Sequence, residues 1–252
     1  MQKYAVILAG GEGRRAGGDM PKQFRSVAGR PVVWWSMKAF LDEDPLTRVV
    51  LVMHPGFFDD WNLMLAALPE ADRLPHILCC GGRDRSDSVE NGLQSVAEDA
   101  GWPQWEDMAD DDTADDAGAI FVAIHDGARP LVTPAMIRRG WEACRPGVCA
   151  VPAVSCTDSL RRYADPGQRD LPLGERRSQS VDRADFVAVQ TPQVFTAADI
   201  ARAHLQGDGS LFTDDASLAE AAGIRASLYE GDSKNIKITW PEDFRIAEIT
   251  LF

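Results

Sequence analysis

Positive charge and glycine are concentrated in one short segment near the amino terminus. An apolar run at residues 5–8 is followed by glycines at positions 10, 11 and 13, by Arg14 and Arg15, and then by Lys22. Glycine permits a tight turn whose backbone N–H groups point at an anion, and the three cations add charge at the same place. The segment is therefore predicted to bind phosphate. A surface turn with incidental cations is the plainer alternative.

The spacing of this loop differs from two common phosphate-binding patterns. The glycines do not follow the G-x-G-x-x-G order of dinucleotide-binding proteins, and no lysine stands where a P-loop requires one. Two arginines also occupy positions at which a helix N-terminus alone would normally hold a pyrophosphate. These differences disfavour a dinucleotide oxidoreductase and a P-loop NTPase.

His125 and Asp126 follow directly on an apolar run at residues 120–124. In an open α/β sheet, ligands bind beyond the carboxyl ends of the strands, which places this pair on the same rim as the glycine loop. A carboxylate beside phosphates suits Mg²⁺, because Mg²⁺ prefers oxygen donors. Asp126 is thus the predicted Mg²⁺ ligand, with a helix or turn cap as the alternative. His125 is predicted to pack at the strand end rather than to catalyse.

A second glycine turn, Gly81-Gly82, opens a predicted helix. Ser86 or Asp87 could serve merely as the cap of that helix. If the turn also lies on the sheet rim, its backbone and Ser88 are placed to reach a nucleotide base or ribose. Capping alone is the alternative for this segment.

Residues 235–239 are predicted to form a strand in which Lys237 alternates with Ile236 and Ile238. Successive side chains of a strand point to opposite faces, so Lys237 lies on the face away from these isoleucines. A lone strand lysine is usually solvated. Lys237 is of functional interest only if its face points at the phosphate loop.

Composition limits the classes of partner. The chain has 252 residues, of which 45% are hydrophobic, and a formal net charge of −13. Such an acidic surface repels nucleic acid and anionic membranes, so an anion must be held by locally concentrated cations. The five cysteines lack metal-binding spacing, which indicates reduced thiols. Without a signal-peptide pattern or a spanning apolar run, the protein is predicted to be cytoplasmic.

Short apolar runs alternate with helix-like segments, which predicts an α/β fold with a mostly parallel sheet. A single domain over residues 1–252 is expected from the length. The predicted strands are residues 5–8, 49–53, 76–80, 120–124, 148–154 and 235–239. The predicted helices are residues 31–41, 57–68, 86–98 and 134–144, with a last helix beginning near Pro241.

Two segments interrupt this alternation. Residues 106–116 form an acidic insert with little to bury, predicted to be a solvated loop; a metal site is the alternative, although the spaced ligands of a calcium loop are missing. Residues 156–185 are polar, rich in arginine and interrupted by proline. This second segment is too polar for the core and is predicted to project as an arm.

Taken together, these residues resemble the sugar-phosphate cytidylyltransferases, and most closely the 2-C-methyl-D-erythritol 4-phosphate cytidylyltransferase family. The motifs occur in the family's order from the first strand to the last helix. They are Leu8-Ala9-Gly10-Gly11-Glu12-Gly13-Arg14-Arg15, Pro21-Lys22-Gln23, Asp87-Ser88-Val89, His125-Asp126-Gly127-Ala128-Arg129-Pro130, Val181-Asp182-Arg183, Gln190-Thr191-Pro192-Gln193, Thr213-Asp214-Asp215-Ala216-Ser217, Glu230-Gly231, Asn235-Ile236-Lys237 and Pro241-Glu242-Asp243.

The resemblance implies a Rossmann-like nucleotidyltransferase that uses CTP, a sugar-alcohol phosphate and Mg²⁺ or another divalent cation, the metal being held by Asp126. It implies transition-state stabilisation by Arg15, Lys22 and Lys237. The residues that it implies for CTP are Ala9, Gly10, Gly11, Gly13, Lys22, Gly82, Arg85, Ser88, Asp126 and Gly127. Those that it implies for the sugar phosphate are Arg129, Ser159, Arg183, Thr191 and Lys237.

The resemblance further implies a homodimer built by the arm at residues 156–185, with residues of one subunit completing the site of the other. The chain departs from the family around Ser159, where the local spacing differs, and the arm is longer than usual. A ribitol 5-phosphate cytidylyltransferase is the nearest alternative, but those relatives tend to have other residues at Gly127 and Ala128. A catalytically silent nucleotide-binding paralogue is the alternative from another class.

Overall fold

The protein is described by a computed structural model that covers residues 2–11, 20–110 and 119–252. Its strands are β1 Gln2–Leu8, β2 Ser26–Val27, β3 Arg30–Pro31, β4 Arg48–Met53, β5 Ile77–Cys80, β6 Ile120–Asp126, β7 Val148–Ser155, β8 Arg161–Tyr163, β9 Ser178–Ser180, β10 Val187–Val189, β11 Gln193–Thr196 and β12 Arg225–Glu230. Its helices are α1 Val32–Glu43, α2 Phe58–Ala67, α3 Arg85–Ala100, α4 Pro134–Ala143, α5 Ala197–Gln206, α6 Asp215–Ala221 and α7 Pro241–Leu251.

The central sheet confirms the predicted α/β class. Strands β5, β4, β1 and β6 lie side by side in parallel, with β1 in the middle of this group. Strand β11 is antiparallel to β6 and joins it to β7. Strand β12 then runs parallel to β7, and β10 pairs with β7 in the antiparallel sense. The carboxyl ends of β1, β4, β5 and β6 therefore meet on one rim.

Alternating side chains of the central strands supply two hydrophobic cores. On β1, Tyr4 and Val6 face helices α3, α5 and α6, while Ala5 and Ile7 face α1, α2 and α4. All four side chains are fully buried. This period of two is what a strand covered by helices on both faces requires. The packing fixes the height and direction of the strand ends that form the rim.

The predicted strand at residues 235–239 is wrong. The segment is irregular, and its backbone carbonyls accept hydrogen bonds from cationic side chains rather than from a neighbouring strand. Lys22 Nζ donates to the carbonyl of Ile238 at 2.6 Å, and Arg129 Nη1 donates to that of Asn235 at 2.8 Å. A backbone bond from Ile238 N–H to the Ala128 carbonyl, at 2.8 Å, ties the segment to the rim. The terminal helix α7 begins at Pro241 as predicted.

The first part of the acidic insert differs from a solvated loop. Residues 105–110 form a short 3-10 helix against α3 and α5, and Met108 is only 1% exposed. Met108 anchors this turn in the core, and Trp105 and Ala109 pack against the same cluster. The surrounding acidic residues conceal this apolar pattern in the sequence. Residues 111–118 lie outside the described ranges.

Truncation of Met108 to alanine is expected to lower the free energy of unfolding by about 2–4 kcal/mol, because the cavity left in the core only partly collapses. Urea unfolding measures this change. Turnover should be the same as that of the unsubstituted protein at a temperature at which the variant is folded. An unchanged urea midpoint of unfolding would contradict the packing of Met108 in the core.

The segment at residues 156–185 contains its own two-stranded sheet, β8 paired with β9, and its residues are mostly exposed. Short 3-10 turns connect the two strands. Among the helices of the described ranges, none is long and apolar enough to cross a membrane.

Candidate functional site

A cavity of about 580 Å³ opens at the carboxyl ends of the parallel strands. The structure brings together there most of the residues that the sequence singled out for CTP and for catalysis. Those that line the cavity are Ala9, Gly10, Gly11, Lys22, Gly82, Arg85, Ser88, Asp126 and Lys237. Gly13 and Arg15, the other members of that set from the first loop, lie outside the described residues.

The start of the glycine loop is held open by a side chain behind it. Gln23 is buried, and its Nε2 donates to the carbonyl of Ala9 and to that of Gly11, the latter at 2.9 Å. The Ala9 N–H donates to the Val52 carbonyl at 2.7 Å, so in the described part of this loop the N–H groups left for the cavity are those of Gly10 and Gly11. Gln23 belongs to the motif that follows the loop, but its type alone did not indicate this role.

The second glycine turn is built by helix α3. Asp84 caps the helix by accepting from the Asp87 N–H at 2.9 Å, so the alternative in which Ser86 or Asp87 is the cap is wrong. A Cβ added to Gly82 would lie 2.1 Å from that of Asp87, which explains the glycine. Ser88 Oγ accepts from the Gly82 N–H at 3.0 Å and donates to the Asp84 carbonyl at 2.7 Å. The Ser88 hydroxyl thus shapes the turn that faces the cavity.

Asp126 is the centre of the charged part of the site. Its Oδ2 accepts from Lys237 Nζ at 3.0 Å and from Arg129 Nε at 3.2 Å. Burial opposes ionisation of this carboxyl, but the attraction of Lys237, Arg129 and Arg85 outweighs it and lowers the pKa of Asp126 well below its ordinary value. The group is therefore a carboxylate at neutral pH, as a metal ligand must be.

His125 and Thr191 lie directly behind Asp126. Thr191 Oγ1 accepts from the Asp126 N–H at 3.0 Å and donates to His125 Nδ1 at 3.0 Å. The other ring nitrogen, Nε2, donates to the Arg129 carbonyl at 3.3 Å. Burial lowers the pKa of His125 to about 4, so the ring is neutral at physiological pH. These contacts place His125 at a packed strand end, as predicted, and away from acid–base chemistry.

Stability should depend on pH through His125. A histidine whose pKa is lower in the folded state contributes stability that is complete above its unfolded pKa of 6.5 and is lost as pH falls towards about 4. The shift corresponds to a loss of about 3 kcal/mol. The free energy of unfolding, measured with urea across this pH range, should depend less steeply on pH for His125→Asn than for the unsubstituted protein. If the two proteins show the same pH dependence, His125 is not a buried neutral ring.

Several residues that the resemblance implies as ligand contacts do not line the cavity of one chain. Gly127 does not line the cavity; its N–H donates to the Leu8 carbonyl at 2.9 Å, and a Cβ there would lie 3.0 Å from that oxygen. The Thr191 hydroxyl is engaged by the Asp126 N–H and the His125 ring, so it holds the end of the strand rather than lining the cavity. Of the residues implied for the sugar phosphate, only Lys237 is among the described residues lining the cavity; Arg129, Ser159, Arg183 and Thr191 are not.

The arm residues lie in exposed positions. Ser159 and Arg183 are both solvent-exposed, and Arg183 Nη1 donates to the carbonyl of Thr157 within the same segment. Arg129, by contrast, is largely buried against Asp126 and Asn235. Within one chain the described residues therefore form a nucleotide-sized cavity that is lined by several cations. Only one of the residues implied for the sugar phosphate lines this cavity.

Sequence reasoning missed His54 and the pairing of Arg85. His54 follows β4 at the same rim and lines the cavity, and its Nδ1 accepts from the Gly56 N–H at 3.1 Å. Its position directly after a buried strand was the available signal. Arg85 forms a two-pronged ion pair with Asp215, with both N–O distances 2.7 Å. Burial opposes the charge on Arg85, but the Asp215 carboxylate outweighs it and raises the pKa of the guanidinium.

Comparison with known proteins gives one family along the whole chain. The family model for 2-C-methyl-D-erythritol 4-phosphate cytidylyltransferase matches residues 4–252. A protein of that name from Bacteroides thetaiotaomicron is 34% identical over 251 residues, which cover 100% of both chains. Another from Cereibacter sphaeroides is 37% identical over 248 residues, covering 98% of this chain and 96% of the relative.

Solved structures agree. The crystal structure of 2-C-methyl-D-erythritol 4-phosphate cytidylyltransferase from Thermus thermophilus superposes with a TM-score of 0.68 and 30% identity, covering 99% of this chain and 98% of that one. A crystal structure of 4-diphosphocytidyl-2C-methyl-D-erythritol synthase gives a TM-score of 0.70 at 26% identity, covering 100% of this chain and 99% of that one. The chain belongs to the 2-C-methyl-D-erythritol 4-phosphate cytidylyltransferase family.

Proposed function

We propose that this protein transfers the cytidylyl group of CTP to 2-C-methyl-D-erythritol 4-phosphate, giving 4-diphosphocytidyl-2-C-methyl-D-erythritol and pyrophosphate. The observation that carries the proposal is the cavity in which Lys22, Lys237 and Arg85 gather beside a glycine loop, in a chain with a net charge of −13. Such a local excess of positive charge is what a triphosphate and a second phosphate require.

The chemistry needs no general base. A phosphomonoester with a second pKa near ~6 is a dianion at neutral pH and attacks the α-phosphorus of CTP directly. The new P–O bond forms as the bond to the β-phosphate breaks, and pyrophosphate leaves with the electron pair. The protein must align the two substrates and stabilise the negative charge of the five-coordinate phosphorus. Lys22 and Lys237 are proposed for that stabilisation, and Arg15 is proposed with them.

The donor set fits a divalent metal that is shared with the substrate. No group of three or more histidine, cysteine, aspartate or glutamate side chains within the described ranges could hold a metal by itself. Mg²⁺ is commonly bound by one or two carboxylates together with substrate phosphates, and the ionised Asp126 supplies such a carboxylate. We assign Asp126 as the protein ligand; the metal, when bound, would neutralise charge on the phosphates.

The nucleotide is proposed to lie across the two glycine turns. The loop that contains Ala9, Gly10 and Gly11 faces the turn at Gly82, and Ser88 lies close to Gly10, since a Cβ added there would be 3.8 Å from its Oγ. The N–H groups of Gly10 and Gly11 suit the phosphates, whereas those of Ala9 and Gly82 already donate to the Val52 carbonyl and to Ser88 Oγ. Arg85 closes the same end of the cavity from helix α3.

The sugar phosphate is proposed to be held partly by a second subunit. Phe186, Val187 and Val189, at the base of the arm, are each more than two-fifths exposed in one chain. An apolar edge of this kind is typical of an interface. Pairing of two arms would cover it and could bring Ser159 and Arg183 to the partner's cavity, as the resemblance implies.

The double variant Val187→Asp with Val189→Asp is therefore expected to be a monomer of 27.6 kDa with greatly reduced turnover. Charges placed in an apolar interface cost more than the contact gains. Analytical ultracentrifugation gives the mass, and Leu63→Asp, at a 70%-exposed position on α2, is the matched control that should remain dimeric. If the double variant still has the mass of a dimer, the base of the arm does not form the interface.

Pyrophosphate release from CTP and Mg²⁺ tests the reaction, with 2-C-methyl-D-erythritol 4-phosphate and ribitol 5-phosphate as parallel acceptors. Turnover with the first alone is the expected result. Turnover with ribitol phosphate alone would keep the chemistry and change the acceptor. Failure with both, together with retained CTP binding, would leave a nucleotide-binding protein without this activity.

A further inference from the structure

A buried ion pair joins two helices at one wall of the cavity. Arg85 is the first residue of α3 and Asp215 the first residue of α6, and their side chains meet end-on, Nη1 to Oδ1 and Nη2 to Oδ2, both at 2.7 Å. The Asp215 side chain is 3% exposed, whereas that of Arg85 is 33% exposed and lines the cavity. The aspartate thus lies behind the arginine as seen from the cavity.

The end-on geometry leaves one edge of the guanidinium for another partner. Arginine carries five N–H donors in a planar fork, and Asp215 takes one from each terminal nitrogen. The remaining donors, including Nε–H, have no hydrogen-bond partner among residues 2–11, 20–110 and 119–252. A plane fixed on one side by a carboxylate therefore presents a fixed edge on the other.

The residues on either side of Asp215 are held by hydrogen bonds to Gln193. The preceding residue, Asp214, caps α6 by accepting from Ser217 N–H at 3.1 Å, and its Oδ2 accepts from Gln193 Nε2 at 2.7 Å. Gln193 Oε1 accepts from Ala216 N–H at 2.9 Å. Gln193 begins β11 two residues after Thr191, which supports Asp126. The start of α6 is thereby fixed to the strand that carries the charged part of the site.

We propose that Asp215 is a positioning residue that fixes the Arg85 guanidinium for contact with the nucleotide. This inference rests on the proposed use of CTP. Asp215 does not touch the nucleotide; it removes the rotational freedom of a long side chain before the ligand arrives, so less entropy is lost on binding. The pair then binds CTP as one unit, while the sugar phosphate, which is proposed to lie towards Lys237, is recognised separately.

The test is CTP binding by Asp215→Asn, measured by direct titration and by separate KM values for CTP and for the sugar phosphate. The asparagine keeps the size of the side chain but turns an N–H₂ group towards the arginine, so the guanidinium swings away. The dissociation constant for CTP is expected to rise about 10- to 100-fold, which is the range for loss of charge-assisted hydrogen bonds. The KM for the sugar phosphate should change by less than about 3-fold.

A double-mutant cycle separates positioning from a general structural role. If Asp215 acts through Arg85, adding Asp215→Asn to Arg85→Gln should change CTP affinity by less than about 3-fold. Asp42→Asn, which breaks the exposed pair with Lys38 at 2.6 Å, is the control and should bind CTP normally. Additive losses, or equal losses for both substrates, would overturn the proposal.

Asp215→Glu covers the case in which the asparagine variant does not fold. It retains the charge and the ion pair but displaces the guanidinium by one methylene, and CTP affinity should again fall; affinity equal to that of the unsubstituted protein would overturn the proposal. If both variants show normal turnover and unchanged CTP affinity, the proposed role of Asp215 is refuted while the proposed function stands. An unsubstituted protein that binds no CTP would refute the proposed function as well.

Discussion

Lys22→Gln is expected to reduce kcat by about 10²- to 10³-fold while the protein remains folded. Lys22 lines the cavity, and its Nζ donates to the Ile238 carbonyl at 2.6 Å, one residue from Lys237. This contact anchors the ammonium group in the cavity, where charge is proposed to develop at the α-phosphorus. Glutamine is one bond shorter but keeps an N–H donor, so the change removes the charge while retaining most of the side chain.

Single-turnover kinetics at saturating CTP measure the chemical step for Lys22→Gln without the influence of product release. Lys38→Gln is the matched control, because Lys38 pairs with Asp42 on α1 outside the cavity, and it should retain full activity. A rise in KM for CTP with an unchanged kcat would show that Lys22 binds ground state and transition state equally. That result would contradict its assignment to the transition state.

The rim of the site could be predicted because it depends on local patterns. Buried strands ending at Leu8 and Asp126 are visible as apolar runs, and parallel strands bring their carboxyl ends to one edge. The glycine loop, Asp126 and the turn at Gly82 therefore fall into one cavity, as the sequence indicated. The resemblance to the family supplied Arg85, and it gave a catalytic role to Lys237, which the alternation of residues 235–239 had only marked as a lysine of interest.

The parts that could not be predicted depend on contacts between distant segments. Arg85 and Asp215 are 130 positions apart, and neither residue type indicates its partner. Residues 235–239 have the alternation of a strand, but the cations Lys22 and Arg129 take their carbonyls, and only the folded chain brings these groups together. Thr191 lies in a recognised motif, yet its hydroxyl turns inward because His125 and the Asp126 N–H occupy it.

Asp126→Asn is expected to have the largest effect, lowering kcat/KM by about 10³-fold or more. The carboxylate is the proposed metal ligand, and it also sets the positions of Lys237 and Arg129 through Oδ2. The amide cannot carry the negative charge that both tasks require. Its N–H₂ group would also face two cations, so Lys237 is expected to leave the place that is proposed for it beside the phosphates.

Magnesium dependence distinguishes these two tasks. For Asp126→Asn, the Mg²⁺ concentration at half-maximal rate should rise about 10-fold or more, because one of the few ligands is lost. In the unsubstituted protein the depressed pKa keeps Asp126 ionised at neutral pH, so this group should cause no loss of activity until the solution becomes strongly acidic. If the Asp126→Asn enzyme needs no more Mg²⁺ than its parent, the carboxylate serves only to hold Lys237 and Arg129, and the metal must be bound elsewhere.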